Sequence, residues 1–148
     1  VRNIAQVEGE IVIERPVEDV FDFVADERNE PRYNAQMISS EQLSDGPIGL
    51  GTQFRAEVKT GGRIVAMVIG FTAFERPVRL SSHTQMSGMD IDGALTFESV
   101  DGATRMRWSW NLEPHGALRL VPWLVAIMGR RQEKAIWTSL KHHLETQV

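Results

Sequence analysis

The side chains able to do chemistry are few and scattered. The chain has no Cys, which removes thiolate nucleophiles, disulfides and Cys-built metal sites. Its four His do not group. His83 lies in the strand-like run 79–86 (RLSSHTQM). Facing inward, it would be the first candidate catalytic base. If Ser82 and Thr84 face inward instead, His83 stands outside and inert, and Leu80 argues for the Ser82 face. His142 and His143 are neighbours about 100° apart on a helix, so they form no metal pair, and His115 is isolated. No His/carboxylate cluster has ligand spacing, so neither a metal nor a cofactor is expected. A Ser–His–Asp arrangement lacks a nucleophile-elbow motif. The glycine-rich stretch 45–51 (DGPIGLG) lacks the Lys-Ser/Thr ending of a phosphate loop. Arg130 and Arg131 fall in the middle of a long helical stretch. Arg131 is the candidate clamp for an anionic ligand group, weighed against an Arg that lays its stem on the sheet and its head in water.

These residues must be positioned by the elements around them. Residues 6–15 (QVEGEIVIER) alternate as a strand, and Pro16 ends it. Pro16 also suits a helix start, with Glu18 and Asp19 in the first turn. Val17, Val20, Phe21 and Val24 then give one buried stripe of a short helix. Asp26 is placed to cap a second short helix running to Arg32. Strand patterns follow at 37–43, 52–59, 63–75, 79–86, 91–99 and 104–113, with Gly61-Gly62 and Asp101-Gly102 as hairpin turns. A bend is expected near Gly70 in the longest strand. Parity turns Phe54, Ala56, Val58, Leu95, Phe97, Met106, Trp108 and Trp110 to one side. A run of hairpins makes a meander the simplest topology.

The last third is the one stretch long enough for a long helix, covering one face of the sheet. Within 117–147 one apolar stripe runs Val121, Leu124, Val125, Met128 and a second runs Ile136, Trp137, Leu140, Leu144. The two stripes are rotated by roughly 100° on an ideal wheel. The helix must therefore bend near Gly129 or cross a strongly curved sheet.

At 148 residues the expectation is a single domain, 1–148, with its own core. The net charge is −4, without the basic field that nucleic-acid binding uses. The final segment from His115 is near +3 and the remainder near −7. No run reaches the roughly 18 apolar residues that span a membrane, and the opening VRNIAQVEGE has no signal core. A soluble cytoplasmic protein is expected, without membrane insertion.

In this order, the elements resemble the START-related, polyketide cyclase-like and birch-pollen-allergen-like (SRPBCC) superfamily. Glu10–Val24 is similar to that family's opening strand, Pro and short helix. Pro31-Arg32-Tyr33 stands where its members often carry a Pro and an aromatic, usually Trp. Gly46–Phe54 resembles the glycine-rich entry to the third strand, and Gly102–Trp108 the entry to the last. The resemblance implies an α+β helix-grip fold: a curved seven-stranded antiparallel sheet, two short helices and a long C-terminal helix. It also implies a cavity between sheet and helix. That cavity would be lined by Tyr33, Phe54, Ala56, Val58, Leu95, Phe97, Met106, Trp108, Trp110, Leu124 and Met128. The paired Trp suit a flat hydrophobic ligand, and equally suit a core that needs large side chains. The family includes carriers and sensors of lipid, aromatic or polyketide-like molecules, and also cyclases and aromatases. A carrier of a small hydrophobic molecule is therefore the first expectation and a polyketide cyclase/aromatase-type enzyme the second. A homodimer through the apolar stretch 118–128 is the third.

Overall fold

The computed structural model describes residues 4–147. Residues 1–3, where the opening stretch begins, and residue 148 lie outside the described set, so the ends of the expected 1–148 domain do too. Strand β1 (Ala5–Ile13) leads through Pro16 into helix α1 (Val17–Ala25) and a 3-10 helix (Glu27–Arg32). Six strands follow: β2 (Met37–Gln42), β3 (Gln53–Thr60), β4 (Arg63–Glu75), β5 (Arg79–Met86), β6 (Met89–Val100) and β7 (Ala103–Pro114). A second 3-10 turn (Gly116–Leu120) delivers the chain to α2 (Pro122–Thr146).

The sheet is antiparallel in the order β1-β7-β6-β5-β4-β3-β2. The meander therefore holds from β2 to β7, but β1 pairs with β7 at the far edge. α1 and the 3-10 helix carry the chain across the sheet between β1 and β2, so those two strands are not neighbours. Two hairpins turn where their sequence says. Gly61 and Gly62 have φ of 57° and 78°, and Asp101 and Gly102 have φ of 50° and 82°, the left-handed pair that a two-residue hairpin needs. The irregularity in β4 lies between Phe71 and Ala73, at Thr72 rather than at Gly70. Gly70 keeps its register with Gln53 and His83.

One face of the sheet is dry. Its rungs include Phe54–Ile69–Thr84–Ile91–Leu112 and Phe71–Ser82–Gly93–Trp110–Val7. α1 closes one end of it with Phe21, whose ring meets Phe74 and Phe97 edge-on at 5.3 Å and 5.1 Å. α2 packs chiefly on β1, with a smaller contact on β7.

The two apolar stripes expected on α2 are one stripe. Its buried or half-buried positions include Val125 and Ala126, Gly129, Glu133, Ile136 and Trp137, Leu140 and Leu144, spaced by three and four residues as a single helix face requires. Gly129 is the point of closest approach: a Cβ there would stand 2.9 Å from Val7 Cγ2 and 3.1 Å from Leu112 Cδ1. Its role is contact, and the helix is unbroken through it. The C-terminal end of α2 is tied down. Arg15 donates from Nη1 to the Leu144 carbonyl at 2.9 Å, Lys141 donates to the Val12 carbonyl at 2.6 Å, and the Glu14 amide donates to Glu145 at 2.8 Å. A cation on the last carbonyls also meets the negative end of the helix dipole. The N-terminal half is barer, with Trp123, Ile127 and Met128 exposed.

Candidate functional site

Phe54, Ala56, Val58, Leu95, Phe97, Met106 and Trp108 are all buried on the inner face. Trp110 is half-buried on the same face. Trp108 and Trp110 fit because glycines lie beside them. A Cβ on Gly9 would come within 2.3 Å of the Trp108 ring, and one on Gly93 within 2.7 Å of the Trp110 ring. Four partly buried apolar side chains, Met67, Met86, Met89 and Ile91, continue this face beyond the line of α2. Tyr33 is 3 % exposed and completes an aromatic ladder. Trp108 lies 6.1 Å from Trp137, Trp137 lies 6.0 Å from Tyr33, and Tyr33 lies 5.9 Å from Phe23.

Three expected site residues are elsewhere. Leu124 and Met128 are 37 % and 60 % exposed, because the true contact line of α2 passes through Ala126, Gly129 and Glu133. Arg131 is exposed. It stands two residues from both Gly129 and Glu133, about 160° around the helix from each, so it cannot clamp anything beneath α2. His83 is corrected as well. It pairs in register with Gly70 and Asp92, while Ser82 and Thr84 take the inner positions. Its Nδ1 meets the Asp92 carboxylate on the outer face, and it does no chemistry inside the grip.

The inner site instead contains carboxyl groups. Glu133 stands on the contact stripe of α2 and faces the 3-10 helix that carries Glu27 and Glu30. Burial, the negative charge of Glu30 and a smaller opposing interaction with the Trp137 indole leave the Glu133 carboxyl raised to about 8. Glu27 is pushed well above the usual carboxylate range, first by burial and then by the charge of Glu30. The Tyr33 phenol is raised well above its ordinary value by burial and by Glu30, Glu27 and Glu133. Both effects disfavour the ionised form of an acid. Glu30 is held by Asn34, whose Nδ2 donates to Glu30 Oε2 at 2.8 Å. Among the described residues no Lys, Arg or His forms an ion pair with any of the three carboxyls. Arg28, next to Glu27 in sequence, is occupied by a two-point bond to Asp26 at 2.8 Å.

Four buried side-chain polar atoms among the described residues have no protein partner: Glu27 Oε2, Ser40 Oγ, Trp110 Nε1 and Trp137 Nε1. Ser40 shares the rung of Ala56, Met67 and Met86, so it and Trp110 belong to the inner face, and the other two lie between α2 and the 3-10 helix. Buried polar atoms normally find partners, so this side of the sheet has hydrogen-bonding capacity to spare.

A hollow lies on the other face. It measures about 760 Å³ and is bordered by Glu8, Glu10, Arg79, Asp92, Thr96, Arg107, Ser109 and Asn111. Its border carries both signs, Glu8, Glu10 and Asp92 against Arg79 and Arg107, so it has no concentrated charge of one sign. No group of His, Asp or Glu among the described residues has a geometry suited to a metal ion.

Sequence reasoning missed Glu27, Glu30 and Glu133 because each sits in a polar, surface-like context. One signal was available. Glu133 falls seven residues before Leu140 and seven after Ala126, on the stripe that the apolar residues on either side define.

A family model described as "Polyketide cyclase / dehydrase and lipid transport" matches residues 5–145. A search of curated proteins finds no match. Among solved structures, a START superfamily protein from Mycobacterium smegmatis superposes with a TM-score of 0.83 at 14% identity, over 95% of this chain and 97% of that one. A protein from Thermus thermophilus gives 0.80 at 18% identity, over 93% and 94%. The Zhui aromatase/cyclase from a Streptomyces species gives 0.79 at 14% identity, over 96% and 94%. At these identities the likeness shows the fold alone.

Proposed function

Because the chain belongs to the polyketide cyclase / dehydrase and lipid transport family, of the START/polyketide-cyclase-like superfamily, whose fold suits binding of a hydrophobic ligand between sheet and helix, we propose that it binds a small hydrophobic molecule on the inner face under α2. The observation that supports this most is the set of buried, unpartnered polar atoms among apolar walls. Ser40 Oγ and Trp110 Nε1 offer a ligand fixed hydrogen bonds. Met67, Met86, Met89 and Ile91 offer adaptable apolar contact. An apolar wall with a few placed polar groups is the usual make-up of a small-molecule site. Native mass spectrometry of the protein purified from its own host tests this. A co-purified small molecule, lost when Trp110 is changed to Arg, is the expected result. A ligand-free spectrum, together with no affinity for any apolar probe, would overturn it.

A second reading, a cyclase/aromatase-type enzyme, draws support from Glu133. An acid raised to about 8 beside a buried phenol is matched to proton transfer near neutral pH. Conversion of a bound polyketide-like substrate, abolished in Glu133→Gln with binding retained, would favour this reading over carriage.

A further inference from the structure

We propose that the outer face of the first turns of α2, with the 3-10 turn before it, is a docking surface for an anionic phospholipid bilayer. This goes beyond the inner-face reading and stands on different residues. Thirteen large apolar side chains are exposed among the described residues, and six of them fall within 118–128: Leu118, Leu120, Trp123, Leu124, Ile127 and Met128. The other seven are spread from Ile4 to Val78. Apolar residues exposed singly are ordinary, whereas a group of them marks an interaction surface. Leu120 is 72 % exposed and Trp123 64 %, so the group stands in water and is no margin of the core.

The helix geometry sets charge directly behind this apolar end. Leu124, Ile127 and Met128 lie more than about 120° around α2 from the line Ala126–Gly129–Glu133 that meets the sheet. Arg130 and Lys134 follow Trp123 along one row of the helix, seven and eleven residues on, and Arg131 follows Leu124 along the next. Seven residues rise about 10 Å. Arg119 stands between Leu118 and Leu120 in the 3-10 turn, and all four cations are exposed. None of the four forms an ion pair among the described residues. The only acid between Pro114 and Glu145 is Glu133, which is half-buried on the opposite side of the helix.

Charge decides what covers the face. A chain of net charge −4 here gathers four cations around an apolar end. In a two-fold contact of this face with itself the four would meet their own copies, and like charges opposed across an interface repel. A bilayer with anionic headgroups is apolar within and negative at its surface, so it meets both halves of the pattern. Trp is favoured at that boundary. No helix among the described residues is long and apolar enough to cross a membrane, so the contact is peripheral.

Vesicle co-sedimentation and tryptophan fluorescence of the whole chain at pH 7 test this. Vesicles of phosphatidylcholine and phosphatidylglycerol at about 3:1 are expected to bind at least about tenfold more tightly than phosphatidylcholine alone. The preference should vanish in about 1 M NaCl, where screening shortens to about 3 Å. Emission should shift to the blue, because Trp123 is the exposed indole while Trp108 and Trp137 are buried and Trp110 half-buried. Arg130→Glu/Arg131→Glu should lose about tenfold or more on the anionic vesicles. Lys59→Glu/Arg63→Glu makes the same change of net charge at the exposed β3–β4 turn and should lose far less. Trp123→Ser should weaken binding and remove the blue shift. No vesicle binding, equal affinity for the two vesicles, or equal losses in the two double variants would each overturn the proposal. A dimer in sedimentation velocity that Trp123→Ser dissociates, with no vesicle binding, would give the face to a second copy and overturn it too. The inner-face ligand is read separately by native mass spectrometry, and none of these outcomes bears on it.

Discussion

The indole of Trp108 occupies the space over Gly9. The two residues are register partners on β7 and β1, and a Cβ on Gly9 would lie 2.3 Å from Trp108 Cζ2. A Gly in a strand interior ordinarily weakens the strand, so Gly→Ala in an open position would stabilise. Here the ring is rigid and packed against Trp137, and cannot withdraw. Gly9→Ala is expected to destabilise by about 1–3 kcal/mol, the range for overpacking. Urea unfolding followed by tryptophan fluorescence measures it, and a stabilised variant would show that the ring moves freely.

Stability should fall as pH rises from about 4.5 to about 8. Glu133 has its carboxyl raised from 4.5 to about 8 in the folded chain, so within that window the folded state holds a proton that the unfolded state has released. Unfolding is then favoured by up to about 1.4 kcal/mol per pH unit from this group, with no further loss above its folded value. Glu27 adds to the same trend. Asp22, Asp26 and Glu145 are shifted downward and act below about pH 4.5, outside the window. Glu133→Gln should flatten the slope, measured as urea midpoints at pH 5, 6, 7 and 8.

The contact line of α2 can be read from two truncations. Leu140 is fully buried, and Leu140→Ala should cost about 2–5 kcal/mol. Met128 is 60 % exposed, and Met128→Ala should stay within about 0.5 kcal/mol, as surface changes do. Comparable losses in both variants would mean that the helix is rotated from the orientation described.

His83→Ala should leave ligand affinity unchanged. The side chain is paired with Asp92 on the outer face, across the sheet from the aromatic ladder. A loss of affinity for an apolar probe, measured by fluorescence titration, would place the binding surface on the wrong side of the sheet.

Most of the fold was legible because it is written in periodicity. In β3 and β7 every second residue is apolar, and the inner sets Phe54, Ala56, Val58 and Met106, Trp108, Trp110 follow from that alternation. The turn at Asp101-Gly102 follows from backbone angles that few residues tolerate. The pairing of β1 with β7 was not legible, since a strand pattern states which face is dry and says nothing of which edge it joins. The site was legible only in its apolar half. Leu124 and Met128 look like contact residues by hydrophobicity, but Gly129 approaches the sheet because it has no side chain, which a count of apolar positions omits.

Residue order is enough to set where strands and helices form and which side of each strand avoids water, because these depend on local sterics and on two short repeats. It is also enough to rule out Cys chemistry. Folding was needed to bring Glu133 opposite Glu27 and Glu30 across more than a hundred residues of chain. Each carboxyl in isolation is an ordinary solvated acid. Only their placement together, with no Lys or Arg paired to them, raises the carboxyls of Glu27 and Glu133 above the ordinary carboxylate range.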